Sequence, residues 1–366
     1  MRTDELVKIL SKRKLDQIVV TCVPNLMTLT GLNCDNGILE VRKDAEGKAS
    51  VTFYTDFRYI PMVHRLAPSL RCRDIKNFKF VRAAKGVAAK GIAAKGTRHS
   101  CRVKIGIEYS ISHSRYLSFV KDAPRNAQFI DLSEDLVAIR AVKTPEEVEK
   151  LRASEALICE IWKDASKSFK SGMTERQMAA VIKKMMIDRG DGEAFDTIVC
   201  VGKNAAECHH EPDDTVWNGR EPVLVDIGVK LNGVCSDLTR NLVPKTHKAP
   251  LYHKIYDLVL KANRAAIAAA KPGMTGRQLD RIARDVIVKG GFGKCFGHGL
   301  GHGVGYEIHE APTASKKGTM VLKPGMTVTI EPGIYLEDNL GVRIEDLVLI
   351  TENGCEVLST AAAKLV

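Results

Sequence analysis

Apolar positions along the first 140 residues fall in short runs, QIVVTCV, GILEVR, SVTFYTDF, VKIGIEY and FIDL, separated by helix-like segments such as ISHSRYLSFVKDA. Strand-length runs alternating with helical periodicity predict an α/β domain. Asn36-Gly37 fits a hairpin turn within it. Near Leu132 to Lys143 the pattern changes, and Thr144 and Pro145 open a long amphipathic helix with acids in its first turn. The domain boundary is placed there, giving residues 1–135 and 136–366. The second part contains SGMTERQM at 171–178 and PGMTGRQL at 272–279, offset by 101 residues. Both read as capping boxes, with Thr174 and Thr275 accepting the N3 amide while Gln177 and Gln278 reach back. Two helices beginning in the same way predict an α+β domain built by internal, pseudo-two-fold duplication.

Composition narrows the class. The chain of 366 residues is 45% apolar and 27% charged, within the globular range. No run of about 18 uncharged apolar residues occurs. The start, MRTDELVKIL, mixes acids and bases without a signal-peptide core, so neither a membrane span nor export is expected and the cytoplasm is. Ten scattered cysteines without a C-x-x-C pair agree with a reducing compartment and predict buried thiols. The net charge of +11 is uneven: residues 1–140 hold 25 Lys+Arg against 14 Asp+Glu, and the remainder hold 30 of each. A basic first domain raises a nucleic-acid partner. The AAKG repeat between Ala83 and Thr97, with Lys85, Lys90 and Lys95, has no interleaved aromatic residue for base stacking and reads instead as a solvated surface insertion.

The candidate chemistry lies in the second part. In VLVDIGVKLNGVCSDLTRNLV, Asn232-Gly233 is a favoured two-residue turn. That loop places Asp237 opposite Gly228 and makes Asp226 its diagonal neighbour on the same face. Carboxylates in apolar strands need compensation, and a cation supplies it. The segment FGHGLGHGVGYEIHEAP has glycine at 297, 299, 301, 303 and 305, which forbids a stable helix. In extended backbone His298, Leu300, His302, Val304 and Tyr306 share one face, and the opposite face is bare enough for another element to approach. The glycines fit no dinucleotide-binding register, and no Gly-Lys-Thr follows. Glu331 in TVTIEPGIY and Glu345 in GVRIEDLVLI sit inside β-type runs. Two aspartates, two glutamates and one histidine are mainly hard oxygen ligands, suited to a pair of Mn²⁺, Co²⁺, Fe²⁺ or Zn²⁺ ions. His209 and His309 follow Thr174 and Thr275 by 35 and 34 residues, so each half could present a histidine to a shared cleft.

These motifs resemble the Xaa-Pro peptidase family, which includes aminopeptidase P and prolidase, and the likeness runs from about residue 15 to residue 360. It implies a creatinase-like N-terminal domain, marked by the TGL and TDFRY segments (Thr30 to Leu32, Thr55 to Tyr59), followed by the pita-bread catalytic fold. By that resemblance Asp226 binds one metal ion, Asp237 and Glu345 bridge two, and His302 and Glu331 complete the second site, with manganese the first expectation. Glu331 is also the implied proton shuttle. His209 and His309 match substrate and transition-state histidines, His298 a histidine near the leaving-group pocket, and Arg343 an arginine supporting the same region. Cys208, where relatives often carry proline, and Tyr306, where an aliphatic residue is common, depart from the pattern. The expected activity is Xaa-Pro aminopeptidase, with Xaa-Pro dipeptidase (prolidase) as the alternative and a non-enzymatic peptide- or nucleic-acid-binding protein as the remote one. The implied partners are proline-containing peptides and a second copy of the chain, whose cleft the loop Asn33 to Gly37 would border. Methionine aminopeptidases generally lack the first domain, and creatinase-like relatives lack the metal ligands.

Overall fold

The computed structural model describes residues 1–43, 47–82 and 102–360. The AAKG repeat and Cys101 lie outside them. The chain forms two compact units, Met1–Arg140 and Ala141–Val366.

The first unit runs α1 (Thr3–Lys12), β1 (Gln17–Val20), α2 (Val23–Thr30), β2 (Ile38–Lys43), β3 (Ala49–Thr55), α3 (Ile60–Leu66), β4 (Cys72–Asp74), β5 (Val103–Ile107), α4 (His113–Asp122), β6 (Ala127–Asp131) and α5 (Ser133–Ala141). One mixed sheet has the order β4-β3-β2-β1-β5-β6, and the unit is α/β as the alternating pattern predicts. Ile18 and Val20 enter one core while Val19 enters the other, the two-residue period of a strand covered on both faces. The Asn36-Gly37 expectation is corrected: these residues form the entry to β2 rather than a turn between paired strands, and β2 pairs antiparallel with β3. A side chain at position 37 would meet the Phe53 ring at 2.6 Å, which explains the glycine.

The second unit opens with α6 (Pro145–Ser168), α7 (Glu175–Arg189), β7 (Ile198–Val201), β8 (Val223–Ile227), β9 (Lys230–Leu231), β10 (Val234–Cys235) and β11 (Leu238–Leu242). It continues with α8 (Pro250–Ala269), α9 (Gly276–Lys289), β12 (Gly301–Gly303), β13 (Glu310–Ala314), β14 (Thr327–Ile330), β15 (Gly333–Leu336), β16 (Leu340–Arg343), β17 (Asp346–Ile350) and β18 (Cys355–Val357). Capping boxes start α6 at Thr144, α7 at Thr174 and α9 at Thr275. Trp217 N–H donates to the Met173 carbonyl where Leu322 N–H donates to that of Met274, so the repeat extends beyond the capping boxes to matching backbone bridges outside the strands. Each half keeps its own core. Trp162, Met178, Ile182 and Val225 belong to the first; Ile255, Leu279, Ile287 and Val348 belong to the second.

The halves meet through β11. Asn241 donates to the Arg343 carbonyl at 2.7 Å, and Glu345 N–H to the Thr239 carbonyl at 3.3 Å. Behind them the fully buried Arg240 binds Asp346 at 2.9 Å and the Glu345 carbonyl, while Asn263 of α8 bonds Asp346 and the Ile330 carbonyl. One charged network therefore grips the backbone beside both glutamates. Among the described residues no cysteine is in a disulfide; Cys34, Cys159, Cys200 and Cys235 are buried as expected, but Cys22, Cys72, Cys208, Cys295 and Cys355 are only half-buried.

Candidate metal centre

Asn232 and Gly233 both take positive φ, as a tight hairpin turn requires, and the register Val234↔Leu231 continues as Leu238↔Ile227 and Thr239↔Asp226. The turn thus sets Asp237 diagonal to Asp226. The glycine-rich segment behaves partly as expected. A Cβ at Gly301 would lie 1.9 Å from the Thr329 carbonyl oxygen, and one at Gly303 2.2 Å from that of Ala311, so neighbouring backbone does use the bare face. The extended run is shorter than predicted, however. Only Gly301–Gly303 is strand, a bulge interrupts its pairing with β13 after His302, and Leu300 and Val304 enter separate cores. From α9, Asp280 accepts the Leu300 N–H at 3.1 Å, and Arg284 reaches the Phe296 and His298 carbonyls, fastening this segment.

A cavity of about 440 Å³ results, and all nine candidate residues line it: His209, Asp226, Asp237, His298, His302, His309, Glu331, Arg343 and Glu345. Ligand atoms of Asp237, His302 and Glu345 all lie within 4.8 Å of one another. His302 Nδ1 is 3.1 Å from the Gly303 carbonyl, a contact in which it must donate. Its Nε2 lone pair then faces Asp237 Oδ2 at 3.6 Å and Glu331 Oε1 at 3.4 Å. Asp226 Oδ2 accepts from Arg343 at 2.6 Å, whereas its buried Oδ1 has no hydrogen-bond partner. Glu331 accepts from Thr329 at 3.1 Å, and Glu345 from Thr239 at 2.7 Å.

Burial pushes the Asp237 carboxyl well above its ordinary range, with Glu345, Asp226 and Glu331 adding to the effect. Burial and then Glu331 do the same to Glu345, and burial, opposed by Arg343, raises Glu331 to about 8. Acids crowded in this way ionise together only beside positive charge. The orphaned Asp226 oxygen, the presented His302 nitrogen and the oxygen-rich donor set fit divalent cations.

The remaining histidines differ in setting. His298 Nδ1 faces the Gly299 carbonyl at 2.7 Å and Nε2 faces Tyr335 Oη at 2.9 Å, while Arg343 donates to the same hydroxyl at 2.9 Å. Burial, followed by Arg343, lowers His298 to about 4. His309 stacks edge-on against His302 at 4.4 Å, and its pKa is lowered by burial, then by His302 and His209. Tyr335 was missed by sequence reasoning. It is an unremarked aromatic in a hairpin, and only its tertiary neighbours reveal that it links Arg343 to His298. Glu155, fully buried on α6, was also missed: it accepts the Asp237 N–H at 3.2 Å and the Ser359 hydroxyl at 2.7 Å, and burial raises it to about 7.

Buried carboxylates, a presented imidazole and three further histidines around one cavity define a metal-dependent hydrolase. Residues 149–352 match Metallopeptidase family M24, and the chain belongs to that family. It is 39% identical over 262 residues to the Xaa-Pro dipeptidase of Pyrococcus furiosus, covering 71% of this chain and 75% of that protein. The solved prolidase from Pyrococcus furiosus superposes with a TM-score of 0.84 at 32% identity, covering 97% of this chain and 99% of that one. The X-Pro aminopeptidase from Thermotoga maritima superposes at 0.82 with 26% identity over 100% and 99%. The fold is therefore the expected one, an α/β N-terminal unit followed by a duplicated pita-bread unit. Among the described residues no helix is long and apolar enough to cross a membrane.

Proposed function

We propose that the protein is a dinuclear Xaa-Pro dipeptidase, cleaving the peptide bond before a C-terminal proline. The observation that carries this reading is the convergence of Asp226, Asp237, His302, Glu331 and Glu345 on one cavity with His209 and His309 beside them. The dipeptidase and prolidase names of the relatives move the choice away from the aminopeptidase expected first. The aminopeptidase reading keeps the Thermotoga maritima structure in its support.

Asp226 would hold one ion, Asp237 and Glu345 would bridge, and His302 with Glu331 would hold the other; manganese is the first choice, with cobalt, iron or zinc as alternatives. When bound, such ions acidify a water and polarise the scissile carbonyl. Glu331 takes the water's proton and passes it to the proline nitrogen, a tertiary amide nitrogen that leaves poorly until protonated. His309 and His209 donate to the developing oxyanion, a role worth about 3 kcal/mol per well-placed donor. Neutral His298 and Arg343, joined through Tyr335, form the wall that receives the proline side of the substrate. A homodimer in the cytoplasm belongs to the same reading, resting on the family resemblance and the cysteine pattern.

The test is hydrolysis of an Xaa-Pro dipeptide and an Xaa-Pro-Yaa tripeptide by metal-stripped protein resupplied with Mn²⁺, Co²⁺ or Zn²⁺, with Asp237→Asn as control. Metal-dependent cleavage of the dipeptide alone is expected. Preference for the tripeptide would restore the aminopeptidase reading, and no cleavage of either would overturn both.

A further inference from the structure

Each half of the second unit begins a helix after a capping threonine, and in each the next residue meets the segment that brings a histidine to the cavity. In the second half that residue is Gly276. A Cβ there would lie 2.0 Å from the Thr313 carbonyl oxygen, so β13, which starts one residue after His309, rests directly against the helix end. In the first half the corresponding residue is Glu175, fully buried. Its Oε1 accepts from Val201 N–H at 2.6 Å and Asn204 Nδ2 at 3.0 Å. Its Oε2 meets His210 Nε2 at 2.7 Å and accepts from Asp213 N–H at 3.1 Å. These partners span residues 201 to 213, the loop in which His209 reaches the cavity.

Glu175, His210 and Asp213 have the spacing of a cation site. Both Glu175 oxygens nevertheless face two protein partners each, and the carboxylate sits at the favourable N-terminal end of α7. Their chemistry is that of a latch: one buried acceptor ties the end of β7, the 3-10 turn Gly202–Ala206 and the irregular residues that follow it together through charge-assisted hydrogen bonds. His210 Nδ1 lies 3.3 Å from Glu207, which leaves the ring little freedom to turn away.

We infer that Glu175 is a positioning residue which, paired with His210, sets His209 at the cavity, doing with a carboxylate what Gly276 does for His309 by close backbone packing. The inference rests on the reading of His209 as a donor to the reacting carbonyl.

The experiment is a double-mutant cycle on the metal-loaded full chain with an Xaa-Pro dipeptide. Glu175→Gln keeps the shape but replaces one acceptor oxygen by a donor, and is expected to lower kcat/KM by roughly 10- to 100-fold, as misplacing a group by about 1 Å does. In a His209→Ala background the same change should cost less than about 2-fold. Equal losses in both backgrounds would overturn the inference. Hydrogen exchange gives a readout independent of activity: the Val201 and Asp213 amides should exchange at least 10-fold faster in Glu175→Gln, with the Val225 amide unchanged, and unaltered protection would equally overturn it. A wild-type protein that cleaves neither peptide but shows the exchange change would refute the peptidase reading and leave the latch standing. Should Glu175→Gln fail to fold, His210→Asn removes only one of the contacts and is subject to the same cycle, with a smaller loss expected and additivity again overturning the inference.

Discussion

The Thr239 hydroxyl donates to Glu345 Oε2 at 2.7 Å and accepts from Arg343 Nε at 3.2 Å, tying a strand of the first half to a carboxylate of the second. Thr239 also pairs with Asp226 across the sheet. The hydroxyl thus orients Glu345 directly, while Asp226 is reached only through Arg343, which donates to it at 2.6 Å. Thr239→Val, nearly equal in shape, should preserve the fold and weaken binding of Mn²⁺ by about 10-fold or more, the usual effect of removing a group that orients a metal ligand. Calorimetric titration of the stripped protein measures this, and unchanged affinity would show that the backbone alone positions Glu345.

Tyr335 bridges Arg343 and His298. Arg343 donates to its oxygen, and its hydroxyl is 2.9 Å from His298 Nε2. Tyr335→Phe leaves a buried guanidinium hydrogen and a buried imidazole nitrogen without that partner, each a loss of about 1–3 kcal/mol. Metal stoichiometry should remain intact while KM for an Xaa-Pro dipeptide rises about 10-fold. An unchanged KM would remove His298 and Arg343 from the substrate wall.

What could be read from the chain beforehand was what depends on neighbouring residues. The Asn232-Gly233 turn dictates the Asp226–Asp237 relation because a two-residue hairpin has a single register, and the threonine boxes start α7 and α9 because each cap is completed within four residues. The same local reading misplaced Asn36-Gly37, since a turn signal does not reveal that α2 intervenes between β1 and β2. It extended the glycine-rich run too far, since the bulge after His302 arises from pairing with β13. Arg343 reaching Asp226 from the other half, Tyr335 beneath His298, and Glu175 behind His209 all depend on long-range packing. Glu175 in particular reads in sequence as an ordinary acid in a helix's first turn.

The glycines offer a matched pair of substitutions. At Gly301 an added Cβ would lie 1.9 Å from the Thr329 carbonyl oxygen and 2.5 Å from its hydroxyl, which accepts from His302 N–H and donates to Glu331. Backbone cannot swing aside as a flexible side chain can. Gly301→Ala should therefore force β12 from β14, separate His302 from Glu331, and cost about 1–3 kcal/mol with loss of bound metal. At Gly297 nothing lies within 4 Å of the corresponding position, and Gly297→Ala should melt within a few degrees of the parent. Thermal unfolding and metal analysis of both variants distinguish steric contact from a general intolerance of the segment.

Stability should depend on pH in opposite ways with and without metal. In the metal-free protein, burial and mutual repulsion hold Asp237 and Glu345 well above their ordinary values and Glu331 at about 8. Unfolding returns these groups to the ordinary carboxylate range, roughly 4. Between those limits the folded chain retains protons that the unfolded chain releases, so the stability of the stripped protein falls as pH rises from about 4.5 towards 8. Metal binding requires the ionised carboxylates and the neutral imidazole, and therefore strengthens over the same interval. His298, lowered to about 4, acts in the other sense, destabilising the fold as pH falls below about 6.5, but it does so whether or not metal is bound. The difference in melting temperature between Mn²⁺-loaded and chelator-treated protein should accordingly widen from pH 5.5 to pH 8, as read by scanning calorimetry. A difference that stays constant or narrows would mean that the carboxylates are already ionised in the metal-free fold, with Arg343 supplying enough positive charge to hold them so.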